Sequence, residues 1–165
     1  MIIYKNSRIS KKLKNNVIAI GNFDGLHLGH QKVLKQARQK AKKNKLKFGV
    51  VTFEPVPVMF FNKSIRNHRI NSLNQKISFL KKSKLDFLKI IKFNKKFSNY
   101  TPLKFIKDII YKNLKARYIF VSKNFKFGKD RKGNIKTLKE YEKDFFYKKI
   151  ISKPLKKNNK ILSST

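Results

Sequence analysis

Short apolar runs rich in β-branched and aromatic residues alternate along this chain with longer stretches whose apolar residues recur at helical spacing. Strand, helix, strand closes most readily as a right-handed crossover, with parallel strands and helices on both sheet faces. The alternation therefore predicts an α/β fold with a doubly wound, Rossmann-like parallel sheet. Strands are expected over Asn16–Ile20 (NVIAI), Phe48–Phe53 (FGVVTF), Asp86–Phe93, Arg117–Val121 and near Tyr147–Ile151. A helix is expected over His30–Asn44, with Val33, Leu34, Ala37 and Ala41 on one face. Another starts from Ser72 as N-cap, and another from Thr101 with Pro102 at the first helical position. A short helix is expected near Leu138–Asp144, and Lys123–Asn134 reads as a loop. In such folds ligands sit beyond the C-terminal strand ends. The unusual stretches GNFDGLHLGH, TFEPVP and VSKNFKFG all fall at such ends.

The 165 residues suffice for one domain with its own core, and 1–165 is read as that domain. Cysteine is absent, which leaves no disulfide framework or thiolate metal site and fits a cytoplasmic location. No apolar run approaches the roughly 18 residues of a membrane span, so no membrane partner is expected. The N-terminus lacks the pattern of a secretory signal; being basic and free of acids, it still fits an organellar transit peptide. Lys and Arg number 43 against 8 Asp and Glu, a net charge of +35. Such charge suits a phosphate-rich partner or a lysine-rich solvent face. The lysines are spread over every segment and occupy polar positions of amphipathic patterns. Nucleic acid is therefore not expected as a specific partner, but anionic ligands are favoured in any cleft.

GNFDGLHLGH runs from Gly21 to His30, between a strand and a helix. Gly21, Gly25 and Gly29 permit close approach of the backbone to a ligand. The helix start points unpaired N–H groups and its positive dipole end at the loop, which suits phosphate. His27 and His30 can donate hydrogen bonds to phosphate oxygens. A metal site is disfavoured, because Asp24 alone complements the histidines poorly. The plain alternative is a glycine-rich turn carrying two surface histidines.

GNFDGLHLGH contains the H-x-G-H signature of the nucleotidyltransferase superfamily. Its longer form, with Gln31, resembles the prokaryotic FAD synthetase family, whose usual member is a bifunctional riboflavin kinase/FMN adenylyltransferase. VTFEP with Pro57, FNKKFSNYTPLKFI, NFKFGKDRKGN and LSST resemble further motifs of that family, in its order. The resemblance covers nearly the whole chain. It departs at Ser122, where the family usually has Gly, at Lys126 for Arg, and at Met59 for an acid. The chain also ends at Thr165, before the family's next motif arginine and its riboflavin kinase domain. It is therefore expected to be an adenylyltransferase domain truncated at its C-terminal end, weakly active and without kinase activity.

The resemblance implies transfer of AMP from ATP to FMN, giving FAD and pyrophosphate. His27, His30, Asn22 and Asp24 are implied in catalysis. Gly21, Phe23, Gly25, His27, Gly29, His30, Ser163, Ser164 and Thr165 are implied in ATP binding. Phe53, Pro55, Pro57, Phe61, Asn124, Phe125 and Phe127 are implied in FMN binding. Mg²⁺ is expected as cofactor, held mainly by substrate phosphates, with Asn22 and Asp24 near its hydration shell and no protein ligand set. Rival readings are another H-x-G-H nucleotidyltransferase, a basic nucleic-acid-binding protein, and a nucleotide-binding remnant without turnover.

Overall fold

The structure, a computed structural model, describes residues 1–65, 72–152, 155–157 and 160–162. One sheet contains β1 (Ile2–Lys5), β2 (Asn16–Ile20), β3 (Phe48–Glu54), β4 (Phe87–Lys92), β5 (Ala116–Val121) and β6 (Lys148–Ile151). Their order across it is β1-β4-β3-β2-β5-β6, and every neighbouring pair is parallel. A separate antiparallel pair joins β7 (Leu155–Lys157) and β8 (Lys160–Leu162). The chain steps outward from β2 to β3 and β4, then crosses back to β5 and β6 on the far side of β2. Connections leaving β2 and β5 thus run in opposite directions, which opens a crevice beyond their C-terminal ends.

The central strand β2 is buried along its whole length, and its side chains alternate between two cores. Val17 and Ala19 join Val33, Leu34, Ala37 and Ala41 of α1 (Leu28–Lys43) on one face. Leu80 of the next long helix (Leu73–Lys82) closes that layer. Ile18 and Ile20 face the opposite layer, with Phe105, Ile106, Ile110 and Leu114. Those residues belong to a helix that begins at Pro102–Phe105 and continues with π geometry over Ile106–Leu114. Helices on both faces of a parallel sheet make the fold doubly wound, as expected from the alternation.

The local start signals act as read. Ser72 accepts from the Gln75 N–H, and the Ser72 N–H donates to the Gln75 side chain. Thr101 accepts from the Lys104 N–H, with Pro102 as the first helical residue. Some boundaries differ. α1 begins at Leu28 rather than His30, so both histidines lie in or beside its first turn. The late helix spans Ile135–Glu140 rather than Leu138–Asp144, because Asn134 caps it by accepting from Lys136 and Thr137. β1 was not foreseen; it is a short edge strand paired only with β4, and its half-exposed residues carry no burial pattern. Gly49 in β3 is required by packing: a Cβ there would lie 2.1 Å from Phe87 Cζ on β4.

Candidate nucleotide site

The loop between β2 and α1 is tied down at both ends. Its Gly21 N–H donates to Val51 O at 3.1 Å. Thr52 Oγ1, at the end of β3, donates to Asn22 O at 2.9 Å. Gln31 Nε2 donates to Leu26 O at 3.1 Å. Between these anchors the chain reverses through positive φ at Phe23 (47°), Gly25 (71°) and Leu26 (24°). Phe23 leaves 2 % of its surface exposed and packs in the core beneath α1. Its ring therefore anchors the loop, and only its backbone is left to face a ligand. A Cβ on Gly21 would stand 3.4 Å from that ring.

His27 is the N-cap of α1, exposed, and its side chain makes no capping bond. His30 follows one turn later. Their rings stack with centroids 3.8 Å apart and 23° between planes. Gly29 makes room for this, since a Cβ there would lie 3.1 Å from both Cε1 and Nδ1 of His27. Phe23 also contacts His30, with ring centroids 5.2 Å apart and 56° between planes. Burial lowers the His30 pKa to about 4, assisted by the charge of His27 and of buried Lys76, and opposed by Asp24. His30 is thus a neutral imidazole at pH 7, and its Nδ1 has no hydrogen-bond partner among the described residues. The first turn of α1 carries no acid of its own.

The implied FMN residues lie at the end of β3 and after β3 and β5, at the same C-terminal end of the parallel strands as the loop. A chain of rings links them. Phe53 contacts Phe93 and Phe97; Phe61 contacts Phe93; Phe97 contacts Phe105; Phe105 contacts Phe127; and Phe127 stacks on Phe125. Phe53 and Phe127 are each 6 % exposed and belong to the core, so they back this surface rather than line it. Phe61 is 68 % exposed, and Phe125 is half-buried. Phe93 and Phe97, which connect the two groups, were given no role on sequence grounds. Their signal is the i, i+4 spacing in FNKKF, which opens the family-like stretch FNKKFSNYTPLKFI and whose Phe93 closes an expected strand.

Asn124 and Phe125 line a cavity of about 570 Å³ with Lys123, Lys126 and Arg131. A larger groove of about 720 Å³ lies between α1 and the helix Leu73–Lys82 and touches the loop only at Gly25 and Leu26. Neither histidine lines it. Ser163, Ser164 and Thr165 lie outside the described residues. Among the described residues no helix is long and apolar enough to cross a membrane.

Comparison with known proteins identifies the family. The family described as FAD synthetase matches residues 9–165. The bifunctional riboflavin kinase/FMN adenylyltransferase of Buchnera aphidicola subsp. Schizaphis graminum is 39% identical over 158 residues, which is 95% of this chain and 51% of that protein. The protein of the same name from Haemophilus influenzae is 35% identical, over 82% of this chain and 44% of its own length. This chain therefore spans about half the length of the curated relatives it matches. The crystal structure of a protein described as a macrolide-efflux protein from Streptococcus pneumoniae superposes with a TM-score of 0.81 at 25% identity. That match covers 99% of this chain and 54% of the other.

Proposed function

The chain belongs to the FAD synthetase family, and from that premise we propose that it is an FMN adenylyltransferase. A phosphate oxygen of FMN attacks the α-phosphorus of ATP. The bond from that phosphorus to the bridging oxygen breaks, and pyrophosphate leaves. The acceptor brings its own anionic oxygen, so no side chain needs to act as nucleophile. The protein's task is to align the phosphates and stabilise the charge that develops between them.

The observation that carries the reading is the stacked pair His27–His30 on the first turn of α1, at the mouth of the crevice between β2 and β5. Because His30 is neutral at pH 7, it offers one N–H and no fixed charge. Exposed His27 meets the triphosphate from the same turn. Amides of the loop after Gly21, whose own N–H is held by Val51 O, and the helix dipole add donors where negative charge accumulates. Phe61, Pro55, Pro57, Asn124 and Phe125 are the accessible groups for the flavin, backed by Phe53 and Phe127. An isoalloxazine suits a largely apolar, aromatic surface with a few polar groups.

Mg²⁺ fits these residues as a companion of ATP. Asn22 and Asp24 are the loop's oxygen donors, and one carboxylate is too few to hold a hard cation without substrate phosphates. When bound, the ion supplies charge neutralisation at the phosphates. The relatives' names pair this activity with riboflavin kinase, whose product FMN is the acceptor proposed here. A kinase domain is accordingly the linked partner to expect for this reading, and the cytoplasm its setting. Incubation of purified protein with ATP, FMN and Mg²⁺ tests it, with FAD and pyrophosphate measured together. Formation of both in equal amounts supports the proposal; absence of FAD overturns it.

A further inference from the structure

Two side chains outside the implied binding set grip the loop by its carbonyls. Thr52 is fully buried and donates its hydroxyl to Asn22 O. Gln31, one turn into α1, donates its amide to Leu26 O. Both peptide bonds are trans. In a trans peptide the C=O and the N–H of the following residue point in opposite directions. Holding Asn22 O towards Thr52 therefore turns the Phe23 N–H away from the end of β3. Holding Leu26 O towards Gln31 turns the His27 N–H to the opposite side of the loop from Gln31. Neither amide donates to a backbone carbonyl among the described residues.

The loop holds two of its residues at cost, one at the Phe23 amide and one just before the His27 amide. Phe23 and Leu26 are non-glycine residues at positive φ, a conformation that needs support from its surroundings. The Phe23 ring in the core and the two carbonyl grips supply that support.

We propose that Thr52 and Gln31 are positioning residues for the nucleotide, each holding one loop carbonyl so that the N–H of the same peptide is presented to a phosphate oxygen. The proposal rests on the adenylyltransferase reading for its ligand, ATP. The loss of one aimed donor corresponds to about a fivefold to tenfold weaker interaction.

The test compares the wild type with Thr52→Val, Thr52→Ser and Gln31→Leu. The readouts are KM for ATP, KM for FMN, thermal midpoint, and backbone amide NMR during titration with ATP alone. Thr52→Val and Gln31→Leu are expected to raise KM for ATP about fivefold to tenfold, with KM for FMN unchanged. Thr52→Ser, which keeps the donor, is expected to match the wild type. The Phe23 and His27 amide signals should move with ATP in the wild type, and the Phe23 shift should shrink in Thr52→Val. Equal rises in both KM values would mean that the residues only support the fold, and would overturn the proposal. Unmoved amides in a wild type that makes FAD would overturn it as well. If Thr52→Val does not fold, Gln31→Leu and the wild-type titration decide. A wild type that makes no FAD but whose amides respond to ATP would sink the transferase reading while sustaining this one.

Discussion

The imidazole of His27 lies 3.8 Å, centroid to centroid, from that of His30, nearly parallel to it. The stack sits on the first turn of α1, where the helix has donors to spare and no acid of its own. Both rings can donate to one triphosphate from this position. Replacing either by alanine, His27→Ala or His30→Ala, is expected to lower kcat for FAD formation about a hundredfold, the scale for losing one donor to developing charge. Single-turnover measurements at saturating ATP check this. Wild-type rates in both variants would remove the histidines from the mechanism.

The neutrality of His30 has a consequence for stability. Burial lowers its pKa from 6.5 to about 4 in the folded chain, so the unfolded chain binds the proton more readily. The stabilisation is complete above about pH 6.5 and is lost as pH falls through about 4. Wild type should therefore lose stability more steeply than His30→Gln across that interval. Urea midpoints at closely spaced pH values give the comparison, and parallel curves would contradict the assignment of a neutral, buried His30.

Gly29→Ala separates stability from activity. The backbone at Gly29 is ordinary helix, where alanine is favoured by up to about 1 kcal/mol. The new Cβ would nonetheless lie 3.1 Å from the His27 ring. Helix stability is expected to be kept or raised while FAD formation falls at least about tenfold, because displacement of an aligned group by a fraction of an ångström is costly. Thermal melting and turnover on the same sample check both halves. Retained activity would show that the stack is not needed.

Gly49→Ala addresses packing alone. A Cβ there would meet three atoms of the Phe87 ring at 2.1–2.4 Å between two central strands. Overpacking of this kind costs about 1–3 kcal/mol or more. The double variant Gly49→Ala/Phe87→Leu should recover part of that loss. Denaturation curves for the single and double variants are the measurement, and a single variant as stable as wild type would refute the packing argument.

Phe61 and Phe53 make opposite predictions from the same residue type. Phe61 is 68 % exposed, so Phe61→Ala should change stability by no more than about 0.5 kcal/mol while raising KM for FMN. Phe53 is 6 % exposed, so Phe53→Ala should cost about 3–5 kcal/mol. Calorimetric titration with FMN beside thermal melting distinguishes them. If Phe61→Ala bound FMN as wild type does, the aromatic surface would not be the flavin site.

The sequence alone determined the class of fold, most strand positions, the caps at Ser72 and Thr101, and the loop that leads into α1. These features are local: hydrophobic period, capping chemistry and glycine placement act over a few residues and can be read in a line. Tertiary structure decided which phenylalanines are exposed and which lie in the core. Phe53, Phe61, Phe125 and Phe127 carry the same side chain, and only the strand order β3-β2-β5 and the intervening Phe93 and Phe97 set them apart. It also decided the charge of His30 and the reach of Thr52 to Asn22, thirty residues distant along the chain. A pKa depends on what surrounds a ring, and a carbonyl's direction on what grips it. Those neighbours are set by folding, through contacts between segments that sequence spacing leaves far apart.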